Sequence, residues 1–307
     1  MATNNWTIAD IPDLTGETVI VTGGNSGLGF ESVKAFALKG ALVIMACRSV
    51  IKGEEAKKQI LKFLPKADIR VMELDLTDLK SIRNFATNFK KGHTRLDVLL
   101  NNAGIMMVPY SLTKDGFESQ LGTNHLGHFA LTGLLLEVLK NTPNSRVVNV
   151  SSMAHSTGEL DFNNLLYENG KGYSATKAYS RSKLSNLLFT YELQRFFEKN
   201  KINSISLAAH PGFSSTNLAN HLINKWYFRI LKPLFIKMGQ PASMGALPQI
   251  RASVDPQAKA NDYYGPDGKR QMKGYPVLVN PKPRAFDKES AKKLWEVSEK
   301  LTSVIYS

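Results

Sequence analysis

The chain has 307 residues, 43% of them hydrophobic and 21% charged, which excludes a disordered polypeptide and is enough for one large α/β unit or two smaller ones. Its one cysteine, Cys47, cannot form an intramolecular disulfide or a cysteine-based zinc site, so a stapled secreted scaffold is excluded and a reducing, cytoplasmic setting is expected. The net charge of +13 favours anionic company without choosing among nucleotide, nucleic acid and lipid.

Residues 1–13 lack a basic stretch followed by an apolar one, so no secretory leader is expected, and no apolar run reaches the length of a membrane span. From Glu17 an apolar β-branched run at 18–21, a glycine loop and a helical pattern at 28–38 closed by Gly40 predict strand, turn and helix. The pattern repeats: strand at 41–46, helix at 51–64 stopping before Pro65, strand at 69–74, helix at 78–91 and strand at 98–101. A long helix at 116–139, a strand at 146–150, a helix at 177–200 and a strand at 202–208 follow. Beyond Pro211 regularity weakens, and 276–279 is the one further strand candidate. Strands apolar on both faces that alternate with helices predict a single α/β domain over 1–307, a doubly wound, Rossmann-like parallel sheet. Ligands of such sheets sit beyond the carboxyl ends of the strands, after Val21, Ala46, Asn101, Val150 and Ala208.

The first of these loops reads Thr22-Gly23-Gly24-Asn25-Ser26-Gly27-Leu28-Gly29. Glycines there let a pyrophosphate approach the backbone amides at a helix start. Their spacing is not the G-x-G-x-x-G dinucleotide fingerprint and points to a different nucleotide-binding family. After the fourth strand stands Asn101-Asn102-Ala103-Gly104; further on come Thr123-Asn124-His125-Leu126-Gly127-His128-Phe129, Val150-Ser151-Ser152, Tyr179-x-x-x-Lys183 and His210-Pro211-Gly212, then Thr216.

As an ordered set over roughly 15–218, these motifs resemble the short-chain dehydrogenase/reductase family. Ala46-Cys47-Arg48 and 124–129 are similar to its retinol dehydrogenase-like and WW-domain oxidoreductase-like subtype. Tyr173-Ser174-Ala175-Thr176-Lys177 also spells Tyr-x-x-x-Lys. A six-residue shift turns a helix by about 240°, so the two pairs cannot face one crevice. Tyr179 and Lys183 are preferred, because Ser182-Lys183-Leu184-Ser185-Asn186 continues the subtype's pattern and the distance from Lys183 to Pro211 fits the family.

The resemblance implies an NADP(H)-dependent oxidoreductase acting on an alcohol or carbonyl group, with Asn124, Ser152, Tyr179 and Lys183 as its catalytic set. A carbonyl that gains hydride develops negative oxygen, so a proton donor must stand within reach of it. Tyr179 takes that part, with Lys183 as the cation that favours its phenolate, Ser152 as a donor polarising the carbonyl and Asn124 as holder of a relay water. The implied cofactor-binding residues are Gly23, Asn25, Ser26, Gly27, Leu28, Gly29, Arg48, Asp75, Leu76, Asn102, Ala103, Gly104, Tyr179, Lys183, Pro211, Gly212 and Thr216. Arg48, where an NAD enzyme carries a carboxylate, suits the 2′-phosphate of NADP. The alternative is a nucleotide-sensing regulator without catalysis, which would dispense with Ser152, Tyr179 or Lys183.

His125 and His128 have no carboxylate nearby to complete a metal site, so no metal is expected. Scattered lysines without interleaved aromatics argue against nucleic acid. Leu184, Leu187, Leu188 and Tyr191 have helical spacing and are expected in the core or at a subunit contact. A homo-oligomer through this helix is usual in the family, while Arg195 and Lys199 leave a monomer open. The aromatic-rich segment 217–240 is expected to form a lid over a bulky apolar substrate, with a packed helix and a helix in peripheral contact with anionic membrane as the alternatives.

Overall fold

The computed structural model describes residues 5–214 and 239–307. The segment expected to be a lid lies outside them, apart from Gly239 and Gln240, and so does Thr216. One eight-stranded sheet runs through the molecule in the order β3-β2-β1-β4-β5-β6-β7-β8. Its strands are β1 (Thr18–Thr22), β2 (Leu42–Cys47), β3 (Ile69–Glu73), β4 (Val98–Asn101), β5 (Ser145–Val150), β6 (Ser204–Ala209), β7 (Tyr263–Pro266) and β8 (Pro276–Leu278). All neighbours pair parallel except β7 and β8. This is the expected doubly wound sheet, and strand order reverses between β1 and β4, where such sheets open a crevice.

Alternate residues of the central strands face opposite layers, as the two-residue period requires. Val19, Val21, Val43, Met45, Leu100 and Val148 pack with α1 (Gly27–Leu38). Ile20, Ile44, Leu99 and Val147 pack on the other face with Ile82, Phe85 and Phe89 of α3 (Leu79–Gly92). Each fully buried large side chain contributes about 1.5 to 3 kcal/mol, so a central strand has little freedom to shift register. The α2 helix (Val50–Leu61) ends short of the expected 64.

The expected helix at 116–139 is broken. Ser119–Leu121 leads into a π-helical turn at Gly122–Leu126, followed by Gly127–Leu134 and Leu136–Asn141, together α4. The apolar pattern runs through these pieces without showing the extra residue of the π turn. The next helix, α5 (Ala175–Lys199), starts two residues earlier than expected. Helices α6 (Ala242–Val254) and α7 (Lys288–Thr302) complete the layers. Leu184, Leu187, Leu188 and Tyr191 of α5 pack with Ala291 and Leu294 of α7, which keeps that apolar stripe inside the chain. No helix among the described residues is long and apolar enough to cross a membrane.

Candidate active site

At the end of β1 the chain turns through Gly23 and Gly27, at φ +66° and +55°, backbone states that favour glycine. A Cβ on Gly29 would lie 2.3 Å from the Gly23 carbonyl oxygen and 2.7 Å from Asn102 Nδ2, so α1 can sit this close to the loop only with glycine there. Ser26 caps α1 in extended conformation but makes no side-chain cap bond, which leaves its first-turn amides without that partner. Such amides suit an anion. Ser26 is exposed, while Asn25, Gly27 and Leu28 are half-buried beside it.

Beyond β4, Thr22 holds the next motif in place. Its Oγ1 accepts from the amides of Asn102 and Ala103, both at 2.9 Å, and Asn102 Nδ2 donates to the Thr22 carbonyl at 2.7 Å. Two donors fill both lone pairs of that hydroxyl, and its proton has two acceptors in reach, His128 Nε2 at 2.9 Å and the Leu100 carbonyl at 3.3 Å. His128 Nδ1 in turn donates to the Asn124 carbonyl at 3.0 Å, which assigns the neutral Nδ1–H tautomer. Burial lowers the pKa of His128 to about 4 and that of His125 to about 3. No group of three or more His, Cys, Asp or Glu side chains among the described residues is arranged to hold a metal.

Asn124 sits inside the π turn, a feature frequent at functional positions. Its side chain accepts from the Ile105 amide at 2.8 Å and donates to the Ile105 carbonyl at 3.0 Å and to Ser182 Oγ at 2.9 Å. A Cβ on Gly104 would meet Asn124 Oδ1 at 3.0 Å and Lys183 Nζ at 3.6 Å, so these three residues converge. Ser152 follows β5 and caps a short helical turn at Met153–Thr157, its Oγ accepting from the Ala154 amide at 3.2 Å.

Tyr179 and Lys183 project from α5 into the same place. The Lys183 ammonium lies 5.8 Å from the centroid of the Tyr179 ring and donates to the Val150 carbonyl at 2.9 Å. Both side chains are buried. Burial lowers the pKa of Lys183 to about 8 and raises that of Tyr179, against which the Ser152 hydroxyl acts. Tyr173 precedes the helix, so the rotation argument for the two tyrosines does not apply. Their surroundings differ instead: Tyr173 Oη donates to the Val108 carbonyl at 2.7 Å and accepts from Gln120 Nε2 at 2.9 Å. Burial raises its pKa to about 12.

Arg48 is exposed just past β2. Asp75, past β3, accepts from the Thr77 amide and hydroxyl at 3.0 and 2.7 Å and faces Lys114 at 3.5 Å; Leu76 beside it is buried. Past β6, Pro211 leads into Gly212 at φ +63°, whose amide donates to His210 Nδ1 at 3.2 Å. The described loop candidates follow the carboxyl ends of β1 to β6, while Asn124, Tyr179 and Lys183 stand on α4 and α5, with Lys183 reaching the end of β5 at the Val150 carbonyl. Sequence reasoning missed the supports behind them. Gln249 of α6 donates to Asn102 Oδ1 and Ser32 Oγ, each at 2.9 Å. His155 donates from Nδ1 to the Ser152 carbonyl at 2.6 Å and accepts the Lys282 amide at Nε2. Gln120, which accepts the Met107 amide at 2.7 Å, was missed as well, and its four-residue spacing from Asn124 was the available signal.

Residues 17–226 match the family model described as short chain dehydrogenase. Human retinol dehydrogenase 11 is 47% identical over 234 residues, covering 76% of this chain and 72% of that protein. Human retinol dehydrogenase 12 is 41% identical over 295 residues, covering 95% and 88%. Among solved structures, an uncharacterized protein from Mycobacterium Paratuberculosis superposes with a TM-score of 0.82 at 42% identity, covering 99% of this chain and 100% of that one. The Pseudomonas aeruginosa RhlG/NADP complex, at 20% identity and a TM-score of 0.64 over 81% of this chain and 93% of that one, shares the fold.

Proposed function

This chain belongs to the short-chain dehydrogenase family, a family of oxidoreductases, and on that premise we propose that it is an NADP(H)-dependent enzyme interconverting a bulky apolar alcohol and its carbonyl compound. The observation that carries the proposal is the buried pair of Tyr179 and Lys183, side by side on α5 with Lys183 reaching the carboxyl end of β5. The glycine loop fits a dinucleotide, because Gly23 and Gly27 turn the backbone at positive φ and Ser26 leaves the first-turn amides of α1 without a side-chain cap. Gly23, Asn25, Ser26, Gly27, Leu28 and Gly29 would hold the pyrophosphate. Arg48 would meet the 2′-phosphate, and Asp75 and Leu76 the adenine. Asn102, Ala103, Gly104, Lys183, Pro211 and Gly212 would hold the nicotinamide side. When bound, the cofactor supplies or accepts the hydride.

This chain's own part is proton handling. With its pKa raised by burial, Tyr179 is protonated at neutral pH and suited to give its phenolic proton to the oxygen of a carbonyl under reduction. Ser152 donates a hydrogen bond to that same oxygen, where charge develops. In alcohol oxidation Tyr179 takes the proton back, and a protonated Lys183 favours the phenolate by its charge. Asn124 orders the relay side through Ile105 and Ser182. The names of the human relatives refer to retinol, a long apolar alcohol, which supports a substrate of that class.

The test follows NADPH consumption with long-chain and polyene aldehydes. Tyr179→Phe should abolish turnover, whereas Tyr173→Phe should keep most of the maximal rate. Loss of turnover in the second variant with retention in the first would assign the chemistry to the other tyrosine.

A further inference from the structure

Residues 105–108 leave β4 just past Gly104 and begin with three half-buried apolar residues in a row, Ile105, Met106 and Met107. An irregular segment must find partners for its backbone polar groups outside any helix or sheet ladder. Here side chains provide them. Asn124 takes both polar groups of Ile105. Gln120, one turn earlier on the same helical face, accepts the Met107 amide at 2.7 Å. Tyr173 Oη donates to the Val108 carbonyl at 2.7 Å.

Gln120 and Tyr173 also bind each other. The fully buried amide of Gln120 donates from Nε2 to Tyr173 Oη at 2.9 Å and to the Ala175 carbonyl at 3.0 Å. Ala175 is four residues before Tyr179, so its carbonyl is also the helical acceptor for the Tyr179 amide. The Tyr173 ring is fixed edge-on to Tyr110 and Tyr167, with centroids 5.3 Å away in each case. Met107 is held at φ +51°, a left-handed conformation that costs a methionine about 1 kcal/mol or more. The backbone bonds at residues 105, 107 and 108 offset that strain.

We propose that Gln120 and Tyr173 form a clasp that fixes the 105–108 backbone against the helix carrying Tyr179, and that the clasp sets Met106 and Met107 as the wall that favours long apolar substrates over short ones. Neither residue touches the reacting atoms; both are positioning residues. The substrate half of this inference rests on the function proposed above, whereas the clasp itself is a property of the cofactor-free chain.

The experiment compares wild type with Tyr173→Phe, which keeps the edge-on ring and removes only Oη, and with Gln120→Leu as the harsher variant. Hydrogen exchange of the cofactor-free proteins comes first. Amides at 105–108 should exchange about tenfold faster in Tyr173→Phe, the scale of one lost hydrogen bond, with peptides covering the glycine loop unchanged. NADPH-dependent kinetics follow, with a long-chain and a three-carbon aldehyde. The long aldehyde's KM should rise about tenfold at a kcat within twofold of wild type, and kcat/KM for the short aldehyde should stay within twofold. Unchanged exchange at 105–108 overturns the clasp even if Gln120→Leu fails to fold. Faster exchange with equal losses for both aldehydes overturns the selective wall. Wild type without turnover on either aldehyde would sink the function proposed above, while the exchange measurement would still decide the clasp.

Discussion

At the scale of single residues, Arg48 carries the choice between the two nicotinamide dinucleotides. It follows Cys47 at the end of β2, where a ribose-binding carboxylate would favour NAD, and its guanidinium stands exposed, free of any ion pair formed by the described residues. A guanidinium suits a phosphate through paired, charge-assisted hydrogen bonds. Hydrogen bonds to a charged group are worth about 1.5 to 3 kcal/mol, so kcat/KM for NADPH should exceed that for NADH by about 10- to 100-fold. Arg48→Asp should move the ratio by a similar factor toward NADH. A wild-type preference for NADH, or a ratio that does not respond to the substitution, would remove Arg48 from the cofactor site.

At the scale of elements, the parallel strands β1 to β6 were legible because each carries a short run of apolar residues, buried almost throughout in all but β3, where Arg70 and Glu73 are exposed, and local composition alone reports that. The π turn at Gly122–Leu126 was not, since one extra residue in a helix changes which side chains face the site without changing their apolar character. Strand β7 was hidden for another reason: Tyr263–Pro266 contains a glycine and a proline and reads as a turn, and only pairing with Ala208 and Ala209 of β6 and with 276–278 of β8 makes it a strand. Helix α7 carries a local signal, the Asp287 cap before apolar positions 291, 294, 297 and 301, masked by the prolines just ahead of it. The motif residues themselves were legible, but the groups behind them were not, because a support such as Gln249 lies far along the chain from what it supports. Gln249 ties α6 to Asn102 and to Ser32 of α1, spanning the glycine cradle from behind. Gln249→Leu removes the donor to half-buried Asn102 Oδ1 and to buried Ser32 Oγ, which keeps its bond to the Leu28 carbonyl, at a cost of about 1 to 3 kcal/mol. NADPH affinity, read by fluorescence titration, should weaken about tenfold, and thermal stability should fall by several degrees. Unaltered affinity at lowered stability would show Gln249 to be packing alone.

At the scale of the whole molecule, the histidines tie the proposed catalytic centre to the acid limit of folding. Each of three has one ring nitrogen acting as an acceptor: His128 from the Thr22 hydroxyl, His155 from the Lys282 amide at 3.2 Å and His210 from the Gly212 amide at 3.2 Å. Protonation would turn each acceptor into a donor facing a donor, at the segments that carry Asn102, Ser152 and Gly212. Burial lowers all of their pKa values, to about 4 for His128 and for His210, and to about 3 for the neighbouring His125. In the unfolded chain these rings titrate near 6.5. The folded form therefore binds fewer protons than the unfolded one as pH falls from about 6.5 to about 4, so stability is fully present above that window and is lost through it. Each such proton contributes about 1.4 kcal/mol per pH unit, giving a slope near 4 kcal/mol per pH unit for His125, His128 and His210 together. The carboxyls of Glu118 and Glu17, which burial pushes up, take protons earlier in the fold and offset part of this toward the acid end. Urea midpoints measured at half-unit steps from pH 7.5 to 5.0 should be flat above about 6.5 and fall steeply below it. A flat profile down to pH 5 would mean that these rings take up protons in the folded state, and with that the neutral, acceptor-bearing histidines behind the site would be lost.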